Sequence, residues 1–180
     1  STGETWFSQF FYRGGRYLQV ELSAPEGKPL PEITELESVV VHSKAKPAGD
    51  FECSNELFNR IRTLIRWAQR SNLMSVITDC PHREKLGWLE QYHLHGYALR
   101  YEWDMVAMYV KSMGDMAQAQ LDNGLVPDIA PEYKVFAGGF RDSPEWGSSF
   151  VIVPWQQYET TGDISLLATY FDRMKRYCDY

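Results

Sequence analysis

With 180 residues the chain can build one sizeable core, or one domain and part of another. Hydrophobic content of 44% and charged content of 23% are ordinary for a globular protein, and a net charge of -6 excludes the broad basic surface that nucleic-acid phosphates require. No run of about 18 apolar residues is present, which excludes a membrane-spanning helix, and no leader pattern opens the chain. The aromatic share is high at 14%, with six Trp and eleven Tyr; such rings fill cores and also cover the apolar faces of sugars. Cys53, Cys80 and Cys178 are odd in number and widely spaced, with neither a CxxC nor a zinc pattern, so buried free thiols are expected. Ser1 is not a natural start and Tyr180 interrupts a helix-like pattern, so the chain reads as an excerpt.

Residues 5–22 alternate like strands: Phe10-Phe11-Tyr12 runs to Gly14-Gly15, and Tyr17, Leu18, Val20 and Leu22 follow. Residues 23–34 hold Pro25, Gly27, Pro29 and Pro31, an exposed connection. A short strand centred on Val39-Val40-Val41 precedes the breaker Pro47-Ala48-Gly49-Asp50. Two or three strands cannot make a sandwich alone, so residues 1–45 read as the end of a β-domain.

From Ser54, a candidate N-cap, the period becomes helical: Leu57, Phe58, Ile61, Leu64, Ile65 and Ala68 share a face. Arg60, Arg62, Arg66 and Arg70 lie opposite and are expected to be solvated. Trp88 to about Leu121 is helix-rich, with a break near Glu102 and with methionines as core filler. His93 and His95 would diverge by about 200° on a helix, so they do not make a metal pair. Asp122-Asn123-Gly124 ends this region, with Gly124 suited to a left-handed cap. The irregular stretch from there to Glu145 places apolar and aromatic residues beside acids, a composition that favours function. A further helix starts near Trp146, with Pro154 in its first turns or at a kink, and Thr161-Gly162-Asp163 separates it from residues 164–180. Helices joined by loops rich in acids, Gly and Trp fit an α/α toroid, of which about two hairpin pairs are present.

The stretch Asp79-Cys80-Pro81-His82-Arg83-Glu84-Lys85-Leu86-Gly87-Trp88 combines two acids, an arginine, a histidine and a tryptophan between breakers. Sugar cleavage needs that mixture: an acid to protonate a leaving oxygen, groups that bind hydroxyls, and an aromatic wall. An arginine beside the acid favours its charged form, so burial or a second carboxylate, with Asp79 the candidate, has to act against it.

At this stretch the chain resembles the bacterial α-L-rhamnosidases of glycoside hydrolase family seventy-eight. The similarity extends to Phe11-Tyr12-Arg13-Gly14-Gly15-Arg16-Tyr17-Leu18-Gln19-Val20, Gly49-Asp50-Phe51-Glu52-Cys53-Ser54-Asn55, Val126-Pro127-Asp128-Ile129-Ala130-Pro131, Trp146-Gly147, Pro154-Trp155, Tyr158 and Thr161-Gly162-Asp163, in order. The resemblance implies a mainly α chain: the first helix pairs of an (α/α)6 barrel over residues 46–180, preceded by the last strands of a β-sandwich domain over 1–45. It implies inverting hydrolysis of terminal α-L-rhamnosides in glycans or glycosides without a cofactor, and the residues themselves suggest no metal site. By the same resemblance Glu84 is the general acid, Asp79 and Arg83 bind the sugar hydroxyls, and Trp88 and Trp146 are pocket aromatics. The general base lies beyond Tyr180, so the excerpt alone is expected to be inactive.

Two positions depart from the family pattern. Gln91, beside Glu90, stands where an aspartate is usual, and Ser148 replaces the acid after Trp146-Gly147; Glu90, Asp142 or Glu145 substitutes, or the sugar preference has changed. The alternatives are therefore a related barrel glycosidase for another sugar, a non-catalytic carbohydrate-binding relative, and a structural helical domain. A carbohydrate is the expected partner, without nucleic acid or membrane span. Because the family occurs both inside cells and exported, the compartment is open, with the periplasm or cell exterior slightly ahead of the cytoplasm.

Overall fold

A computed structural model describes residues 3–180, and every regular element among them is helical. Residues 3–45 run without forming a strand, so the strands expected over 5–22 and around Val39–Val41 are not formed. A strand's backbone groups need a paired edge, and these segments meet none. Trp6, Phe10, Tyr17, Leu18 and Val39 are consequently exposed. Backbone bonds fasten the segment near both ends: Gly14 N donates to Pro81 O at 3.1 Å, and Ser43 N to Leu73 O at 2.6 Å.

Helix α1 spans Glu56–Asn72. Its cap is Asn55 rather than Ser54: the Asn55 Oδ1 accepts from Leu57 N at 3.0 Å, and Glu56 in the first turn suits the positive end of the helix dipole. α1 buries no residue, and its apolar stripe of Leu57, Phe58, Ile61, Leu64 and Ile65 faces outward. Its arginines are not simply solvated. Arg62 donates to both oxygens of Glu102, at 2.8 and 3.0 Å, and to Asp50 at 2.5 Å, while Arg66 binds the same Glu102. The fold brings the Glu102 carboxylate to α1 largely out of water, where it needs cations; the Arg62 hydrogen bonds hold its carboxyl below the usual range.

The core lies among α2 (Glu90–Leu94), α3 (Gly96–Glu102), α4 (Val106–Ala119), α5 (Pro144–Gly147), α6 (Ser149–Thr161) and α7 (Ser165–Asp179). The expected break near Glu102 is the Trp103–Met105 link between α3 and α4, and a second break falls at His95. Helix α6 is central, packing on α2, α3, α4 and α7, with Phe150 and Val153 buried beside Tyr92, Tyr109, Met105, Met113 and Met116. Pro154 sits well inside α6, and α6 stops where Gly162 turns left-handed at φ 72 and its N donates to Tyr158 O at 2.7 Å. Gly124 is left-handed too, at φ 105, but α4 has already ended at Ala119. Its glycine is needed for close approach, since a Cβ would stand 2.4 Å from Arg176 O of α7. No helix among the described residues is long and apolar enough to cross a membrane.

The stretch expected to be an irregular loop divides in two. Residues 124–130 are all buried and pass through the body as an apolar segment carrying one acid, Asp128. Residues 131–143 emerge as a surface arm with a 3-10 turn at Gly138–Phe140. The first half forms the floor beneath the Asp79–Trp88 loop, and the second forms one wall.

Candidate active site

The Asp79–Trp88 loop is closed by a reciprocal pair of bonds at its ends. Asp79 N donates to Leu86 O at 3.2 Å, and Asp79 Oδ1 accepts from Leu86 N at 3.0 Å. Within it, a turn over residues 81–84 is steadied by Glu84 N donating to Cys80 Sγ at 3.2 Å. Lys85 takes a left-handed φ of 56, which for a residue with a side chain costs about 1–3 kcal/mol. Neighbours hold it there: Lys85 Nζ donates to Tyr12 O at 2.8 Å, and Lys85 O accepts from the Tyr133 hydroxyl at 2.9 Å. The same hydroxyl accepts from Gly87 N at 3.2 Å. The loop then joins the buried segment, with Trp88 bridged to Ile129 and Leu89 N donating to Asp128 O at 2.9 Å.

This framework aims Glu84 and Trp88 at one another. Trp88 Nε1 donates to Glu84 Oε2 at 3.1 Å, and Arg83 Nη2 to Glu84 Oε1 at 3.1 Å. The Arg83–Glu84 pair is exposed and adds roughly 0–1 kcal/mol. The Glu84 side chain is 39% exposed. Around Trp88 the rings form a wall: Phe136 stacks on it at 5.4 Å and 22°, and Trp146 meets it edge-on at 6.4 Å.

Glu90, at the start of α2, presents the second carboxyl group of interest. Its Oε1 accepts from Gln91 Nε2 at 2.8 Å, while Oε2 is buried without a partner. Burial raises its carboxyl above the ordinary 4.5, and the fields of Asp79 and Asp128 add to that against the Gln91 bond. Asp128 is buried and likewise raised, chiefly by desolvation, although its Oδ1 accepts from Ser143 N at 2.9 Å. Because the folded value of Glu90 is raised, its neutral acid stabilises the fold below the unfolded value, and this contribution is lost as pH climbs through the folded value. In the full-length protein, Glu90→Gln is therefore expected to gain Tm relative to wild type as pH rises from about 4 to about 8. A Tm difference that stays constant across that range contradicts a raised Glu90.

The other residues singled out from sequence are distributed around this wall. Asp79, Arg83, Glu84, Trp88, Glu90 and Gln91 occupy the loop and the start of α2. Trp146, in α5, is half-buried with its Nε1 unpartnered. Asp142 accepts from the Tyr180 hydroxyl at 2.7 Å, and Glu145 is exposed at the head of α5; both lie in the field of Asp128. Ser148 Oγ donates to Glu145 O at 3.5 Å, and His93 Nδ1 lies 2.6 Å from Ser149 Oγ. The cysteines are free thiols, but Cys178 is exposed and the other two are only half-buried. Among the described residues no three His, Cys, Asp or Glu side chains converge as metal ligands would. Sequence reasoning missed Tyr133, Phe136 and Asp128 as parts of the site. Asp128 carried a signal, one acid in the apolar run 125–130; nothing local ties Phe136 to Trp88.

Residues 46–180 match the bacterial alpha-L-rhamnosidase 6 hairpin glycosidase domain. An alpha-L-rhamnosidase from Formosa agariphila is 32% identical over 173 residues, covering 96% of this chain and 18% of that protein. The alpha-L-rhamnosidase structure from Dictyoglumus thermophilum superposes with a TM-score of 0.71 at 34% identity, over 76% of this chain and 15% of that one. The alpha-L-rhamnosidase of Streptomyces avermitilis complexed with L-rhamnose superposes with a TM-score of 0.71 at 30% identity, over 77% of this chain and 13% of that one. The chain thus spans about a fifth of the length of the curated relatives it matches.

Proposed function

The chain belongs to the bacterial alpha-L-rhamnosidase six-hairpin glycosidase family, and on that premise we propose that it forms the acid-bearing part of an enzyme that hydrolyses terminal α-L-rhamnosides with inversion. The observation that carries the reading is the Glu84 carboxyl group, held by the Trp88 indole at 3.1 Å at the edge of an aromatic wall. Glu84 gives its proton to the glycosidic oxygen as the bond from that oxygen to the sugar carbon breaks. Water attacks the same carbon from the opposite face, and its proton passes to a carboxylate about 6.5–9.5 Å from the acid, which we place outside residues 1–180. Asp79 and Arg83 bind sugar hydroxyls, and Trp88 and Trp146 cover the apolar face of the ring. Residues 1–45 are read as the end of a preceding β-domain and 46–180 as the start of the barrel.

Of the three acids able to stand in for the aspartate that Gln91 replaces, Glu90 has the best support. Its Oε2 is buried and unpartnered, and Gln91 fixes the other oxygen at 2.8 Å. A buried polar atom left unpaired costs about 1–3 kcal/mol, and a sugar hydroxyl relieves that cost once the side chain turns toward the pocket. Asp142 is engaged by Tyr180, and Glu145 faces solvent.

The direct test is incubation of the full-length protein with an aryl α-L-rhamnoside, following the sugar by NMR. Release of L-rhamnose, first as the β-anomer, is expected for inversion. The α-anomer as first product overturns the inverting assignment. Turnover of a different aryl glycoside in its place moves the specificity and keeps the barrel chemistry.

A further inference from the structure

Two kinds of neighbour surround the Trp88 indole. Trp146, edge-on to it, carries a buried and unpartnered Nε1. The surface arm meets it with the Phe136 ring. Phe136 stacks on Trp88 at 5.4 Å, and Phe140 follows Phe136 at 6.4 Å and 45°. Exposure rises along this series: Trp88 and Phe136 are half-buried, and Phe140 is 70% exposed. The three rings make a continuous apolar path from the Glu84 carboxylate to solvent.

A glycosidic bond has a sugar on one side and a leaving group on the other, and the acid must reach the oxygen between them. An enzyme acting on a terminal sugar encloses that sugar and leaves the rest of the substrate toward solvent, which is where the path through Phe136 to the exposed Phe140 leads. The arm is held in place independently of any ligand: the Arg141 guanidinium grips Glu132 at 2.7 and 3.0 Å, and Ser143 N binds Asp128 Oδ1 at 2.9 Å. The Lys134 ammonium lies 5.8 Å from the Phe136 centroid, so the surface open to a ligand is the Phe140 ring and the outer edge of Phe136.

We propose that the Phe140 ring, with the outer edge of Phe136, forms the leaving-group subsite and that Phe140 stacks a leaving group with a flat apolar face. Such a face is carried by an aromatic ring or by the CH side of a pyranose. The subsite rests on the reading of Glu84 as the acid, since that reading fixes which side of the bond faces the arm.

The test uses the full-length protein and three substrates: an aryl α-L-rhamnoside, a rhamnosyl disaccharide and methyl α-L-rhamnoside. For each, kcat/KM is measured in wild type, Phe140→Ala and Phe140→Tyr. The ratio of the aryl to the methyl substrate within one protein is compared between proteins, which cancels the intrinsic ease of expelling each leaving group. Phe140→Ala is expected to lower that ratio about threefold to tenfold, through KM, with Phe140→Tyr close to wild type. A fall confined to the aryl substrate identifies an aromatic leaving group; an equal fall for the disaccharide identifies a pyranose face as well. An unchanged ratio overturns the proposal. So does a lowered Tm with equal losses on all substrates, the signature of a Phe140 packed against another segment of the full protein. A wild type that hydrolyses no rhamnoside overturns the functional reading itself, and the subsite falls with it.

Discussion

Glu84→Gln in the full-length protein is expected to lower kcat on an aryl α-L-rhamnoside by about 10²–10⁴-fold, the range for losing a positioned general acid. Glutamine has the same size, and its amide oxygen can still accept from Trp88 Nε1, so the loop and the aromatic wall should stay in place. What it cannot do is supply a proton to the leaving oxygen. The loss should therefore depend on how much that oxygen needs one. A dinitrophenyl rhamnoside, whose leaving group departs readily as an anion, should lose far less than an alkyl rhamnoside. Equal losses on both would assign Glu84 to binding or to loop structure. Full activity would remove it from the mechanism and make Asp79 the next candidate.

The limited burial of Glu84 fits this chemistry only with the rest of the site assembled. Its Arg83 and Trp88 partners hold the carboxylate in position, but both lie on its own loop and neither excludes water. In the proposed function, bound substrate and the barrel segments placed outside residues 1–180 do so. The acid's geometry is thus local to a ten-residue stretch, whereas its environment depends on distant parts of the chain.

That division also explains what could be read from the sequence. Helix α1 and the stop at Gly162 rest on local signals, namely apolar period and a left-handed glycine, and both are present within a few residues of where those signals lie; the break expected near Glu102 falls at Trp103–Met105. Glu84, Trp88 and Asp79 share one loop whose breakers fixed its extent. Strand formation at residues 5–22 was not legible in the same way, because alternation specifies a face while pairing requires an edge that these residues do not meet. The engagement of Arg62 and Arg66 by Glu102 depends on a contact far along the chain, and so does the stacking of Phe136 on Trp88. Residues 124–130 belong to a stretch that reads as irregular, and irregularity does not report burial, yet every one of them is buried. The lone acid in that run, Asp128, was the clue: it is placed so that its side chain caps Ser143 N and its carbonyl holds Leu89 N.

Asp79 carries the second large effect, because it does two jobs at once. Its Oδ1 accepts from Leu86 N and closes the loop that presents Glu84, while in the proposed function its carboxylate also meets a sugar hydroxyl. Asp79→Ala removes both. Leaving Leu86 N without a partner costs about 1–3 kcal/mol, and a hydrogen bond to a charged group is worth about 1.5–3 kcal/mol. The combined effect should lower kcat/KM on an aryl rhamnoside by about 10²–10³-fold, with a fall in Tm from the opened loop. Asp79→Asn separates the two roles. Its amide oxygen can still accept from Leu86 N, so Tm should remain near wild type while the charged contact to the sugar is lost, and kcat/KM should fall by about tenfold. If the asparagine variant loses as much as the alanine variant with Tm intact, the carboxylate itself carries the effect and the loop clamp contributes nothing to activity. If both variants remain fully active, Asp79 binds no sugar and the loop holds Glu84 without it.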